Sequence, residues 1–175
     1  MISKGNRIIP LVITVGQVAV FPYYIIWLKS ISLTFTLFAW FFAIHSFAAA
    51  WGYRVFQVKK NKKKSNITLI YLGMGCTYLF VGQINAEFEL LPYIALLLQI
   101  LLGFLQGYFR AWHVEQDTYH LHAVNHYIIV GLIMISLSFV KIISPVAIIS
   151  IFGWLLCGCS LWTLIENRRK VKVKS

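Results

Sequence analysis

Six long apolar runs, separated by short polar or basic connections, divide this sequence from end to end. Each run is long enough to cross a membrane, because about 20 residues of helix span the hydrocarbon core of a bilayer. Lipid offers no hydrogen-bond partner to backbone groups, and the alternating polarity of barrel strands is missing, so each run is predicted to be helical. The sequence therefore predicts an all-α integral membrane bundle of six transmembrane helices in one domain, with helices at about 8–28, 31–53, 66–84, 90–112, 121–140 and 145–165.

The composition agrees with a bilayer as the solvent. Of the 175 residues, 59% are hydrophobic and 12% are charged, which is too apolar for a water-soluble domain of this length. Aromatic side chains also recur near the ends of the runs, as in the interfacial belts of membrane proteins. We assign to such belts Tyr23, Tyr24, Trp27, Trp51, Tyr53, Trp112, Tyr119 and Trp162.

The positive charges fall on alternate connections. Of the 16 Lys and Arg residues, all but Lys29 and Lys141 lie at the N-terminus, in the basic loop 54–65, at Arg110 or in the basic tail 166–175. Cytoplasmic loops carry an excess of Lys and Arg, so both termini, this loop and the tail are predicted to be cytoplasmic. The short external connections are typical of a bacterial cytoplasmic membrane.

The net charge of +11 does not indicate a nucleic-acid-binding protein. Its cations stand in short blocks between apolar runs and do not cover a face with interleaved aromatic residues. Besides setting orientation, the block Lys59 to Lys64 allows contact with anionic lipid head groups or with an acidic membrane partner.

A polar stripe follows the fourth predicted helix. Its members Gln99, Gln106, Arg110 and His113 stand at offsets of 0, 7, 11 and 14, which places them on one face at about 100° per residue. Two interpretations stay open: hydrogen bonds to neighbouring helices with Arg110 extended to the interface, or a cavity open to the cytoplasm. Beside the stripe, Gly103 and Gly107 form a GxxxG pair, which is typical of close helix packing.

A histidine cluster follows the stripe. The segment 113–126 holds four of the five histidines, and its His122 and His126, four residues apart, can turn both imidazoles toward one ion. His45 on the second helix lies at a similar depth and would supply a third nitrogen ligand. This set predicts a site for zinc, or for iron, with Asp117 as the acid or base.

The same three histidines resemble, in type and in part of their spacing, those of the ceramidase and progestin-receptor-like superfamily of seven-helix membrane hydrolases. That family binds zinc through a histidine on an early helix and an HxxxH motif on the last one. Here the HxxxH is on the fifth of six predicted helices, and the family's Ser-x-x-x-His spacing on the second helix is absent. The resemblance covers those positions alone and implies a zinc hydrolase.

Two functional hypotheses follow. The first is a metal-dependent, hydrolase-like membrane enzyme that acts on an amphipathic, lipid-like substrate at the cytoplasmic leaflet, with Arg110 binding an anionic head group. The second is a non-enzymatic protein, either a small-molecule carrier or a subunit or assembly factor of a membrane complex. For a carrier, the polar positions along the path would be Gln17, Gln83, Gln99 and Gln106.

Overall fold

A computed structural model describes residues 5–30, 34–59, 67–84, 90–115, 128–136 and 144–172. In these ranges the chain is helical and contains no strand, which confirms the predicted all-α class. The helices are α1 (Gly5–Ser30), α2 (Phe35–Val58), α3 (Ile67–Gln83), α4 (Leu91–Val114), α5 (128–136) and α6 (Pro145–Lys172).

Three helical stretches are long and apolar enough to cross a membrane, namely Ile9–Lys29, Leu91–Val114 and Pro145–Glu166. The shorter apolar helix α3 has 17 residues. Large apolar side chains such as Phe47 and Trp154 face outward and are exposed. An outer surface of this kind suits lipid better than water. The chain is therefore a membrane-associated helical protein.

Local sequence signals explain where several helices begin. Thr34 precedes α2, and its Oγ1 accepts a hydrogen bond of 3.3 Å from the Leu37 N–H. Ser144 precedes α6 in the same way and accepts from the Ala147 N–H at 3.2 Å. Pro92 stands in the first turn of α4, where its missing N–H leaves no partner unsatisfied. At these three helix starts an orphan donor is thus satisfied or avoided.

Helices α2 and α4 form a tightly packed pair. A Cβ at Gly103 would lie 2.5 Å from the His45 carbonyl oxygen, and one at Gly107 would overlap the Ala49 carbonyl. Because both contacts advance in the same direction along the two helices, the pair is parallel. The close packing expected of the GxxxG pair is confirmed.

Helices α3 and α6 form a second pair, which is antiparallel. Gly75 and Gly153 face each other, and a Cβ on Gly153 would lie 3.1 Å from the Gly75 carbonyl oxygen. Further along, the Ser160 hydroxyl donates a 3.0 Å hydrogen bond to the Thr68 carbonyl. Small residues and an interhelical hydrogen bond are what hold helices together where lipid removes the hydrophobic driving force.

The two pairs meet so that α1, α2, α3 and α4 alternate in direction along the chain. Helix α3 runs antiparallel to α4, as the contacts Tyr71–Phe109 and Tyr78–Gln106 require. Helix α1 runs parallel to α3, because Gln17 contacts Met74 and Tyr24 contacts Tyr78. The ends of α2, α4 and α6 therefore gather with the starts of α1 and α3.

We call this gathering of helix ends the basic end of the bundle, because it carries Arg54, Lys59, Arg110 and Arg168. Two of its helices touch there, since the Lys59 Nζ donates to the Tyr108 hydroxyl at 3.2 Å. Lys29, in the last turn of α1, lies at the opposite end.

Candidate functional site

A cavity of about 590 Å³ lies between α1, α2, α3 and α4. This volume falls within the range of small-molecule sites, roughly 300 to 1,000 Å³. Its α4 wall runs from Gln99 to Val114, which at 1.5 Å per residue is roughly 22 Å along the helix axis. The other walls are formed by Thr14, Gln17, Val18, Val20, Phe21 and Tyr24 of α1, Phe42, His45 and Tyr53 of α2, and Tyr78 of α3.

All four residues of the polar stripe on α4 line this cavity. Gln99 and His113 are buried, whereas Arg110 is exposed at the basic end. Gln106 also serves the other interpretation of the stripe, because its Nε2 donates a 3.1 Å hydrogen bond to the Tyr78 hydroxyl on α3. The stripe therefore both lines a cavity and fixes a neighbouring helix.

The α2 wall contributes His45, one of the predicted metal ligands. The close approach of α2 at Gly103 brings this histidine against α4, where its ring hydrogen-bonds with Gln99 and Gln106 and lies in the electrostatic field of Arg110. Its Nδ1 is buried and has no hydrogen-bond partner among the described residues. A polar ring atom is thus left free beside the cavity.

The α1 wall contributes the polar side chains of Thr14, Gln17 and Tyr24. The Gln17 Nε2 donates a long contact of 3.5 Å to the Met74 sulfur, which is a weak acceptor. Tyr24 is 5% exposed, and within the described part of the chain its hydroxyl finds no hydrogen-bond partner. Tyr24, expected in an interfacial belt, is instead buried beside the cavity.

Aromatic rings form much of the remaining wall. Phe21 of α1 and Phe42 of α2 meet edge to face with centroids 5.8 Å apart, and Phe109 stacks on His113 at the same separation. Phe21 and the neighbouring Val18 are also exposed on the outer surface. The wall between α1 and α2 is therefore thin and apolar.

The predicted catalytic and metal-binding residues separate into two groups. His45 and Arg110 both line the cavity. Asp117, His122 and His126 lie outside the described residues. In the ranges given above, no three His, Cys, Asp or Glu side chains come together as a metal site.

Two other polar positions near these walls do not line the cavity. Gln83 is exposed at the end of α3. Ser46, next to His45, is also exposed, and its hydroxyl donates a 2.8 Å hydrogen bond to the Phe42 carbonyl within α2. The polar side chains that line the cavity from α1, α2 and α4 are those of Thr14, Gln17, Tyr24, His45, Tyr53 and the α4 stripe.

Tyr24 and Tyr78 are buried residues of the cavity that the sequence did not assign to a site. Both are buried and in contact, with ring centroids 6.3 Å apart. In the sequence, each appears only as a tyrosine within an apolar run, and such tyrosines also occur wherever a run nears the membrane interface.

Comparison with models of protein families, with curated proteins and with solved structures gave no match to this chain.

Proposed function

We propose that this protein crosses the bacterial cytoplasmic membrane six times, with both termini in the cytoplasm. The proposal is supported by the alternating helix directions and by the gathering of Arg54, Lys59, Arg110 and Arg168 at one end. An excess of Lys and Arg on one side is the usual mark of the cytoplasmic face.

Cysteine labelling in intact cells tests this orientation. The three native cysteines are free and would first be replaced by alanine. A membrane-impermeant maleimide should then label a Lys29→Cys variant, and should label an Arg168→Cys variant only after the membrane is permeabilised. Labelling of Arg168→Cys in intact cells would contradict the orientation.

Within this protein, the cavity binds an amphipathic, lipid-like molecule that carries an anionic group at one end. The observation that carries this proposal is the order of side chains along the cavity. Arg110 stands at the basic end, and amides, phenols and phenyl rings follow deeper in the bundle. A guanidinium cannot lose its charge, and it binds a carboxylate or phosphate through two parallel hydrogen bonds. The apolar rings then accommodate a hydrocarbon chain.

Binding of stearate to the protein in nanodiscs tests this function. Arg110→Gln should weaken the affinity about tenfold or more, because a hydrogen bond to a charged group contributes about 1.5 to 3 kcal/mol. Arg54→Gln is the matched control, since it removes the same charge from a neighbouring helix end and does not line the cavity. No binding by the wild type, or equal losses in the two variants, would contradict the proposal.

The chemistry proposed for this ligand is metal-dependent hydrolysis. It would require His122 and His126 to join His45 around one zinc or iron ion, with Asp117 as the acid or base. The proposal is supported by the position of His45 at the cavity and by its free Nδ1. Elemental mass spectrometry should find about one metal ion per chain in the wild type, and none in a His122→Ala/His126→Ala double variant. Equal metal content in the two proteins would end this proposal.

The alternative is a carrier that binds the same ligand and leaves it unchanged. It is supported by the lining itself, which includes the amides of Gln17, Gln99 and Gln106 and, among the described residues, no carboxylate. Neutral amides bind a polar group without reacting with it. A metal-free wild type that exchanges stearate between vesicles would favour the carrier, whereas release of a hydrolysed product would exclude it.

A further inference from the structure

Two buried polar atoms beside the cavity are left without hydrogen bonds. They are the Tyr24 hydroxyl on α1 and the His45 Nδ1 on α2, and neither has a partner within the described part of the chain. Both residues line the cavity. A buried polar group without a partner costs free energy, and in the interior of a membrane there is little water to supply one. The pair therefore indicates that a ligand group completes the hydrogen bonding here.

The two atoms belong to one region of the cavity, because their residues flank the same hydrogen bond. Tyr24 packs edge to face on Tyr78, whose hydroxyl accepts from Gln106. His45, on the adjoining wall, hydrogen-bonds with the side chain of the same Gln106. The Tyr78 hydroxyl and the Gln106 amide are hydrogen-bonded to each other. The polar atoms that remain available to a ligand beside them are the Tyr24 hydroxyl and the His45 Nδ1.

This region lies deeper in the bundle than Arg110, which stands at the basic end. The His45 carbonyl packs against Gly103, and from Gly103 to Arg110 the axis of α4 rises by roughly 10 Å at 1.5 Å per residue. A ligand whose anionic group binds Arg110 would therefore pass Tyr24 and His45 partway along its chain. The polar atoms of Tyr24 and His45 therefore contact a part of the ligand other than its head group.

We infer that the ligand carries a hydroxyl near the middle of its hydrocarbon chain, and that this hydroxyl binds between Tyr24 and His45. The inference rests on the carrier form of the proposed function, because it assumes an anionic amphiphile seated at Arg110 and a His45 Nδ1 that binds no metal ion. A hydroxyl fits better than a carbonyl, since it both donates and accepts. It can therefore satisfy the phenol and the ring nitrogen together, whichever nitrogen of His45 carries the proton.

The test compares stearate with a stearate hydroxylated near the middle of its chain, on the full protein in nanodiscs. The wild type should bind the hydroxylated acid about tenfold more tightly, which corresponds to one well-made hydrogen bond. Tyr24→Phe should remove most of that preference, measured as the ratio of its affinities for the two acids. Tyr23→Phe is the matched control, because Tyr23 is the adjacent tyrosine and does not line the cavity, so it should keep the preference.

Each other outcome overturns a defined part of the account. Equal binding of the two acids by the wild type would overturn this inference and leave the anionic-ligand proposal standing. Binding of neither acid would overturn both. An undiminished preference in Tyr24→Phe would remove Tyr24 from the site. If Tyr24→Phe does not fold, His45→Leu carries the same comparison, and the same loss of preference is expected.

Discussion

The hydrogen bond between Gln106 and Tyr78 connects the wall of the cavity to the core of the bundle. Gln106 lines the cavity from α4, and Tyr78 is 4% exposed and packs between Tyr24 and Phe152. A phenol buried this deeply needs a partner, and the amide supplies it. One residue of the polar stripe therefore contributes to stability as well as to the surface that a ligand meets.

This dual role predicts a coupling that a double-mutant cycle can measure. Gln106→Leu leaves the Tyr78 hydroxyl without its partner, and should lower the free energy of unfolding by about 1 kcal/mol. Adding Tyr78→Phe removes the unpaired hydroxyl, so the double variant should lose less than the sum of the single losses, with a coupling of about 0.6 kcal/mol. Unfolding in mixed micelles would give the four values, and strict additivity would contradict the bond.

At the residue scale, the sequence predicted one wall of the site and missed another. The stripe from Gln99 to His113 could be predicted because four polar residues on one helical face must turn from lipid. Tyr24 could not be assigned to the cavity, because its place depends on how α1 is rotated against α3. A phenol near the end of an apolar run fits an interfacial belt equally well.

Among the helices, close approach is made possible by glycine. The α2–α4 pair has Gly103 and Gly107 against the backbone of His45 and Ala49, and the α3–α6 pair has Gly75 against Gly153. Without side chains at these points, the backbones come near enough for extensive van der Waals contact, which replaces the hydrophobic effect inside a bilayer. The contact also sets the position of His45, so the packing of α2 on α4 builds part of the site.

Two glycine-to-alanine substitutions should therefore have opposite effects. At Gly107 the new methyl group would overlap the Ala49 carbonyl, and forcing it in should cost about 1 to 3 kcal/mol. At Gly158 of α6, no atom of the described chain lies within 4 Å of the new methyl group. Because alanine has a higher helix propensity than glycine, the free energy of unfolding should stay equal or rise by up to about 1 kcal/mol. Melting temperatures in one detergent would compare them, and equal losses would contradict the packing described for α2 and α4.

Helix positions were more predictable than helix partners. Length and hydropathy alone indicated the apolar runs, because the thickness of a bilayer fixes the number of residues in a helix that spans it. The sequence did not indicate that α2 pairs with α4 and α3 with α6, since lipid-facing and protein-facing surfaces are nearly equally apolar. Gly103 and Gly107 signalled that α4 packs closely, but a GxxxG pair does not name its partner.

In the whole molecule, the cavity lies where α1 meets the α2–α4 pair. Helix α1 packs on α6 through Gly16 and Phe152, and on α3 through Gln17 and Tyr24. Toward α2 the wall is the Phe21–Phe42 ring contact, whose Phe21 is also exposed on the outer surface. The arrangement gives the bundle an apolar side wall beside a polar interior, which suits a ligand that dissolves in the membrane.

Photo-crosslinking tests most directly whether this cavity is a binding site. A fatty acid that carries a diazirine on its chain would be irradiated with the protein in nanodiscs, and the labelled peptides mapped by mass spectrometry. Labels should fall between residues 14 and 24 of α1 and between 99 and 113 of α4, and they should decrease with excess stearate and in Arg110→Gln. Labels confined to outward side chains such as Trp154 and Leu161, and insensitive to stearate, would contradict the account.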